Sequence, residues 1–105
     1  MAQDKRNLFS PEEIHLADIA RALSHPARIK ILNILTDKNV CMCGDIVDLL
    51  PLSQSTVSQH LRELKRVGLI KGEIEGPKTC YCLDEAQLAK AKAAFLKLFS
   101  SVCRC

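Results

Sequence analysis

One stretch of the chain decides the fold, SQSTVSQHLRELKRVGLI at residues 53–70. Its apolar residues Val57, Leu61 and Leu64 recur at helical spacing, so they fall on one side of a helix. The opposite side carries short or planar hydrogen-bonding groups, namely Ser55, Thr56, Ser58, Gln59 and Arg62. Such groups suit base edges and phosphates, whereas an ordinary solvated helix face usually alternates Glu and Lys. The pattern therefore predicts a helix that contacts DNA.

Three further helices are predicted upstream, over about residues 11–23, 26–37 and 43–50. Ser10 is a helix cap, because Pro11 follows at the first helical position and Glu13 lies three residues after the cap. A second start signal, Ser24-His25-Pro26, opens a short and largely buried helix. Pro51 stops the third helix, so a tight turn leads into the DNA-contacting helix.

A strand hairpin and a last helix are predicted downstream. Gly68 ends the DNA-contacting helix. Two strands follow, at residues 69–74 and 79–83, with a basic turn between them at residues 75–78. Asp84 caps an amphipathic helix that continues to about residue 100.

This order of elements is that of a winged helix-turn-helix. The sequence therefore predicts a mainly α fold with a small β wing, built from five helices and a two- to three-stranded antiparallel sheet. By size, residues 1–105 form a single DNA-binding and dimerisation domain. So short a chain leaves apolar surface that is hard to cover alone, and a homodimer is expected.

Composition and charge limit the binding partners and the cellular location that are expected for the chain. A net charge of +3, from 15 basic and 12 acidic residues, is too modest to indicate nucleic acid without the clustering around residues 62–78. No apolar run approaches a membrane span, and residues 1–7 lack the apolar segment of a secretory signal, so a cytoplasmic location is expected. In a reducing compartment, the 6 cysteines indicate metal ligands or redox sensors.

Four motifs together resemble the ArsR family of metal-responsive repressors, across about residues 10–100. They are Ala22-Leu-Ser-His-Pro-Ala-Arg-Ile-Lys-Ile-Leu32, Val40-Cys-Met-Cys-Gly-Asp-Ile46, Gln54-Ser-Thr-Val-Ser-Gln-His-Leu61 and Val67-Gly-Leu-Ile70. The resemblance implies a homodimer, joined by its first and last helices, that represses an operon until an inducer releases it from double-stranded operator DNA. It also implies that DNA binding requires no cofactor.

By position, the resemblance makes residues 54–61 part of the recognition helix. The side chains that would face DNA are Gln54, Ser55, Thr56, Ser58, Gln59, His60 and Arg62, with Lys71 and Lys78 of the wing on phosphates. His60 also has a structural interpretation, as a histidine at the helix surface or at the edge of the core.

Cys41 and Cys43 lie at the start of the third predicted helix, which precedes the recognition helix, so a rearrangement there can displace the recognition helix. Two cysteines one residue apart in an extended segment point to the same side, and thiolates select soft or borderline ions. The pair resembles the Cys-x-Cys of arsenic and antimony responders, and also that of cadmium and lead responders in the family. A common arsenic-responder pattern has a third cysteine where this chain has Ile46.

The third thiolate has two candidate sources. In a winged helix the extended segment before the third helix pairs with the last wing strand, which would bring Cys80 or Cys82 beside Cys41. The other source is the tail, where Cys103 and Cys105 form a second Cys-x-Cys. Cys80 and Cys82 can also be small hydrophobic fillers of a half-buried strand. The family's zinc site on the last helix needs histidine, which residues 84–105 lack.

These residues predict a repressor of arsenic resistance genes, released by arsenite or antimonite bound at Cys41, Cys43, Cys80 and Cys82. Cadmium or lead is the alternative inducer. A second alternative is a thiol redox or sulfide sensor that joins Cys43 to Cys103 or Cys105. An enzyme is not expected, because the chain has no Cys-x-x-Cys motif. A structural dimerisation module without DNA binding is weakly supported, given the polar recognition helix.

Overall fold

The computed structural model describes residues 6–37, 41–43, 46–73 and 80–102. In these ranges there are four α-helices, α1 Pro11–Ala22, α2 Pro26–Asp37, α3 Gln54–Arg66 and α4 Glu85–Val102. There are three strands, β1 Cys41–Cys43, β2 Ile70–Glu73 and β3 Cys80–Leu83. Short 3₁₀ helices lie at Arg6–Leu8 and Ile46–Leu49. The mainly α fold with a small antiparallel sheet is as predicted.

Local caps set the helix starts where the sequence places them. Ser10 forms a capping box with Glu13, in which the Ser10 hydroxyl accepts from the Glu13 N–H at 3.0 Å and the Glu13 carboxylate accepts from the Ser10 N–H at 2.9 Å. At the start of α2, the His25 ring replaces the usual hydroxyl, since its Nδ1 accepts from the Ala27 N–H at 3.0 Å. Asp84 caps α4 through Oδ1, which accepts from the Gln87 N–H at 3.2 Å.

The third predicted helix, over about residues 43–50, is wrong in extent and type. The chain there is the 3₁₀ helix Ile46–Leu49, so the described ranges hold four α-helices and not five. Cys43 belongs to a strand on one side, and Pro51 lies on the other. Pro51 has no N–H to donate and disfavours helical backbone in the residue before it, which leaves room for one short turn.

α3 ends at Arg66, and Gly68 terminates it two residues later, as the sequence predicts. The Gly68 N–H donates to the Lys65 carbonyl at 2.9 Å, and the Leu69 N–H donates to the Leu64 carbonyl at 3.1 Å. With a φ of 85° at Gly68, these two bonds form a Schellman motif. The reversal directs the chain straight into β2.

The sheet is antiparallel, in the order β1-β3-β2. β3 is the central strand, with Cys41 opposite Cys82 and Cys43 opposite Cys80 on one side. On its other side, Lys71 is opposite Cys82 and Glu73 is opposite Cys80. Because side chains alternate along a strand, the intervening Met42 and Tyr81 point to the other face, toward the core.

The core lies between that inner face of the sheet and the four helices. Its buried side chains come from every major element and form one cluster, including Ile19 and Ala22 of α1, Ile31 and Leu35 of α2, Val57, Leu61 and Leu64 of α3, Ile70 and Tyr81 of the sheet and Ala91 of α4. Leu88 and Phe95 of α4 pack against this cluster and remain partly exposed. The hydrophobic contact of α3 with the rest of the core holds its outer side toward solvent.

Candidate DNA interface and cysteine face

The two sides of α3 differ as the sequence predicts. Six of the predicted DNA-contacting residues have exposed or half-buried positions, namely Gln54, Ser55, Thr56, Ser58, Gln59 and Arg62. Ser55, Gln59 and Arg62 follow one another at spacings of four and three residues, so they form one ridge along the exposed side. We call this surface the α3 ridge.

The first turn of α3 is organised by Ser53. Its Oγ accepts a hydrogen bond from the Thr56 N–H at 3.3 Å and donates one to Thr56 Oγ1 at 2.9 Å. The Ser55 hydroxyl lies 3.3 Å from the same Oγ atom. Linked hydroxyls of this kind fix one another's direction, so the polar groups at the start of α3 are arranged before any ligand arrives.

His60 does not face DNA, which corrects the prediction that it would. The side chain is 7% exposed, on the core side of α3. Its Nδ1 accepts a hydrogen bond from Arg28 Nε at 3.0 Å, and its ring centroid lies 4.4 Å from that of His25. Burial, with smaller effects from His25 and Arg28, lowers the pKa of His60 below its ordinary value of 6.5. The interpretation of His60 as a histidine at the core edge is the one the structure bears out.

Arg66 and Lys65 are bound to other parts of the chain. Arg66 makes two hydrogen bonds of 3.0 Å to the carboxylate of Asp18 on α1, and its Nη2 lies 2.6 Å from Glu63 Oε2. The hydrogen bond from Arg66 lowers the pKa of Glu63, and both carboxylates raise the pKa of Arg66. Lys65 Nζ donates to the Gly72 carbonyl at 2.7 Å. These contacts hold α3 to α1 and to β2.

The structure describes one of the two predicted wing contacts, Lys71, but not the other, Lys78. Lys71 lies exposed on β2. Lys78 and the turn around it lie outside the described residues. Arg62 and Lys71 are therefore the described basic residues from the prediction that remain on accessible surface.

The outer face of the sheet brings four cysteines together. Cys41 and Cys43 of β1 stand directly opposite Cys82 and Cys80 of β3, with Cα atoms 4.0 Å apart in each pair. So short a separation is typical of the non-hydrogen-bonded pairs of an antiparallel ladder, whose side chains approach most closely. We call this surface, defined by Cys41, Cys43, Cys80 and Cys82, the cysteine face.

In the structure the cysteine face is oxidised, with disulfides Cys41–Cys82 and Cys43–Cys80. All four predicted thiol ligands are thus adjacent, and Cys41, Cys43 and Cys80 are exposed. The tail pair, residues 103 and 105, lies outside the described residues. Among the described residues, no group of three or more His, Cys, Asp or Glu side chains is placed to bind a metal ion.

Two charged residues border the cysteine face, and the sequence prediction did not place them there. Lys71 and Glu73 alternate with Gly72 on β2, so both share the outer face with the cysteines. Lys71 was predicted only as a phosphate contact, and Glu73 was not predicted as a site residue. The alternation in Ile70–Glu73 was the available signal, but it becomes informative only once the β2 to β3 register is known.

A second accessible surface is apolar. On the last turns of α4 the large side chains Leu96, Leu98, Phe99 and Val102 are between 42% and 59% exposed. Near the chain start, Leu8 and Phe9 are exposed too, and Phe9 lines a groove along α1 with Ile14 and Ala17. A patch of this kind marks an interaction surface more often than a solvated one. Among the described helices, none is both long and apolar enough to cross a membrane.

Known proteins are similar to this chain in sequence and in fold. Residues 25–71 match a family model described as bacterial regulatory protein, arsR family. A cadmium resistance transcriptional regulatory protein of Staphylococcus aureus, a CadC homolog, is 33% identical over 94 residues, which cover 88% of this chain and 77% of that protein. The HTH-type transcriptional regulator CmtR of Mycobacterium tuberculosis is 37% identical over 90 residues, covering 86% and 75%.

Two solved structures are similar to this one. An ArsR-like transcriptional regulator from a Rhodococcus species superposes with a TM-score of 0.70 at 23% identity, covering 90% of this chain and 89% of that one. A protein of Mycobacterium tuberculosis gives a TM-score of 0.59 at 28% identity, covering 90% and 94%. At 23% identity, the Rhodococcus structure shows a similar fold only. The family relationship is shown by the relatives that are similar in sequence.

Proposed function

The chain belongs to the ArsR family of bacterial transcriptional regulators, and from that premise we propose that it is an arsenite- or antimonite-released repressor. As a homodimer in the cytoplasm, it would bind a palindromic operator through the α3 ridge and the wing. Binding of the trivalent ion to thiolates of the cysteine face would lower its DNA affinity. The observation that carries this proposal is the convergence of four cysteines on one exposed face of the sheet that bears the wing.

The DNA-binding part is supported by the division of α3 into two sides. A recognition helix must hold one side in the core and offer base-contacting groups on the other. Gln59 and Arg62 on the α3 ridge are of the types that pair with adenine and guanine edges, and Ser55 suits a phosphate or either base. The exposed position of Lys71 on β2 supports a phosphate contact from the wing.

The homodimer is supported by the apolar surface of α4 and α1. Phe99 is 55% exposed although it is apolar and aromatic. An isologous interface buries the same patch twice, and removing about 100 Å² of apolar surface contributes roughly 2.5 kcal/mol. Two recognition helices related by such an interface match the two halves of a palindrome.

The ion-binding part is supported by the position of the four sulfurs. After reduction, thiolates from adjacent strands would all approach an ion from the same side of a sheet. Trivalent arsenic and antimony bind three thiolates in a pyramid, with a lone pair on the open side, and this needs ligands from one side only. Thiolate ligands also exclude hard ions such as magnesium and calcium.

The same geometry supports a third ligand from β3, where Ile46 stands in place of the third cysteine of the common arsenic-responder pattern. Cys41 and Cys43 are joined across the ladder by Cys82 and Cys80, so three thiolates are available without the tail. Cadmium remains the second candidate inducer, because the Staphylococcus aureus relative is named for cadmium resistance. A tetrahedral ion would need four thiolates arranged around it, which one flat face provides less well.

The test is fluorescence anisotropy of a labelled palindromic fragment from upstream of the gene, with protein kept reduced by a phosphine. Titration with arsenite, antimonite, cadmium, lead and zinc should give release by the first two at the lowest concentrations. The double variant Cys41→Ser/Cys43→Ser should bind the fragment and not be released. The matched control is Cys103→Ser/Cys105→Ser, which should still respond.

Three results would contradict parts of the proposal. Unchanged arsenite release from Cys41→Ser/Cys43→Ser would remove the cysteine face from the mechanism. Loss of release in Cys103→Ser/Cys105→Ser would move the third ligand to the tail. Release by cadmium at far lower concentration than arsenite would make the chain a cadmium responder.

A further inference from the structure

The cysteine face carries two disulfides whose partners are fixed by the strand register. Cys41 pairs with Cys82 and Cys43 pairs with Cys80, although the partners are 41 and 37 residues apart in sequence. Each pair is directly opposite in the β1 to β3 ladder. The two bridges therefore follow from backbone pairing and not from closeness along the chain.

Other pairings among these four residues are disfavoured by distance. Diagonal partners such as Cys43 and Cys82 lie about 7–8 Å apart in an antiparallel ladder, at or beyond the limit of about 7 Å between Cα atoms for a disulfide. Two cysteines on one strand lie about 6.6 Å apart and close to that limit. Only the directly opposite partners, at 4.0 Å, have their side chains held together by the fold.

The thiols of this face are open to a dissolved oxidant. Cys41, Cys43 and Cys80 are exposed, and Cys82 is half-buried. Lys71 stands opposite Cys82 and Glu73 stands opposite Cys80, so the face is bordered by one charge of each sign. Disulfides in reducing compartments are usually transient and serve redox sensing.

From these observations we propose that the cysteine face is also an oxidation site, at which a peroxide closes the Cys41–Cys82 and Cys43–Cys80 disulfides and makes the regulator insensitive to its inducing ion. The oxidation itself needs no ion and is independent of the proposed function. The insensitivity rests on the proposed function, because an ion that binds these thiolates loses its ligands when they become disulfides.

The chemistry balances with hydrogen peroxide as the oxidant. One thiolate of a pair attacks a peroxide oxygen and becomes a sulfenic acid, and the displaced hydroxide takes a proton to leave as water. The opposite thiol then attacks that sulfur, forms the S–S bond and releases a second water. Each pair loses two electrons and two protons, and one peroxide is reduced to two waters.

Oxidation is expected to preserve DNA binding. β1 and β3 are paired by backbone hydrogen bonds as well as by the bridges, so the same register is expected in the reduced chain. In the oxidised structure the α3 ridge is exposed and α3 keeps its contacts to α1 and β2. The oxidised dimer should bind the operator within about twofold of the reduced one and not be released by arsenite, where twofold is about 0.4 kcal/mol.

The first test is oxidation of the reduced full-length chain with two equivalents of hydrogen peroxide, followed by alkylation and mass spectrometry. Of the 6 cysteines, two should remain open to alkylation, and they should map to the tail. A bridge between a tail cysteine and the cysteine face would overturn the proposal, as would six alkylated cysteines.

A pair of matched variants tests the register. Cys41→Ser/Cys82→Ser leaves Cys43 and Cys80 directly opposite, so one disulfide should form. Cys41→Ser/Cys80→Ser leaves the diagonal pair, which should stay reduced under the same conditions. Both variants lose one cysteine from each strand, so misfolding affects them alike. Equal bridging in the two would show that register does not govern the site.

The same oxidation, repeated in the presence of arsenite, separates this inference from the proposed function. Arsenite at ten times its dissociation constant should slow disulfide formation about tenfold, since only the free thiol form is oxidised. If the expected disulfides form and arsenite does not slow their formation, the oxidation site is supported and arsenite binding at these thiols is contradicted. Arsenite release of DNA together with wrong or absent bridges would overturn the oxidation site alone. Loss of operator binding on oxidation would overturn the ion-insensitive state.

Discussion

Arg28 on α2 donates a hydrogen bond from Nε to Nδ1 of His60 on α3, across 3.0 Å. The same guanidinium donates from Nη1 to the Ala22 carbonyl at 3.1 Å, at the end of α1. One side chain thereby connects the three helices that orient the α3 ridge. His60 must be neutral at Nδ1 to accept this bond, so its protonation state bears on the stability of the fold.

The stability of the protein should fall as the pH is lowered through the range where His60 gains a proton. The folded-state pKa of His60 lies below its ordinary value of 6.5, chiefly through burial. The unfolded chain therefore binds more protons than the folded chain in that range. The contribution of neutral His60 to the free energy of unfolding is complete above pH 6.5 and is lost as the pH is lowered below that value. Urea denaturation of reduced protein at pH 7.5 and 5.5 should show the loss.

His60→Asn is the control, since its side-chain oxygen can accept from Arg28 without titrating. It should reduce the difference between the two pH values. His60→Ala should lower the free energy of unfolding at pH 7.5 by about 1–3 kcal/mol, because Arg28 loses its buried acceptor. An equal pH dependence in the wild type and His60→Asn would assign the effect to other groups.

Gly72 should tolerate substitution less well than Gly68, although both have positive φ. Gly68→Ala places a Cβ 3.7 Å from Gln87 Cγ, which is ordinary contact. The loss of unfolding free energy is then that of holding alanine in a left-handed conformation, about 1–2 kcal/mol. Gly72→Ala, at a φ of 119°, drives its Cβ into the Cys80 carbonyl and to 2.8 Å from Tyr81 Cα. Gly72→Ala should therefore have the larger loss of unfolding free energy in a urea titration. Similar losses would show that β2 can move away from β3 at little cost.

Arg62 and Arg66 should differ in their effect on DNA binding. Arg66 is bound to Asp18 and Glu63 at the end of α3, and Arg62 lies on the α3 ridge, which is the proposed DNA-contacting surface. If Arg62 contacts a phosphate, Arg62→Gln should weaken operator binding and reduce the slope of log K against log salt by about one. Arg66→Gln should leave that slope unchanged. Anisotropy titrations between 50 and 200 mM salt, roughly, would measure it, and a lower slope for Arg66→Gln alone would reverse the assignment.

Phe99→Glu should convert the dimer to monomer. Burying each Phe99 contributes roughly 1.5–3 kcal/mol, and an isologous interface counts it twice. Sedimentation velocity at micromolar concentration should show the smaller species, and operator affinity should fall with it. Lys97→Gln, two residues away and also exposed, changes the net charge by the same one unit and should remain dimeric. A dimeric Phe99→Glu would place the interface elsewhere.

Local signals in the sequence were sufficient for most elements. Ser10, Asp84 and Gly68 act through bonds to residues within four positions, so their roles do not depend on the rest of the fold. The prediction was wrong for the third helix, because the apolar pattern near Ile46 resembles a helix although the strand before it and Pro51 after it leave one turn. The α3 ridge was predictable because helical periodicity alone separates its two sides.

The cysteine face was predictable only in outline. Alternation puts Cys80 with Cys82 and Cys41 with Cys43, but a slip of one residue between β1 and β3 would place the two pairs on opposite faces. The observed register, with Met42 and Tyr81 turned to the core, places all four on the outer face. The burial of Tyr81 thus helps to determine which cysteines meet.

The sequence by itself determined the helices, their caps, the polar side of α3 and the supply of thiols, because these depend on contacts within a few residues. Tertiary structure alone decided that His60 is turned inward to Arg28, that Arg66 is bound to Asp18 on α1, and that Lys71 and Glu73 border the cysteine face. Each of these joins residues far apart in the chain. Such pairings are selected by the packing of the whole core and by strand register, which no local pattern specifies.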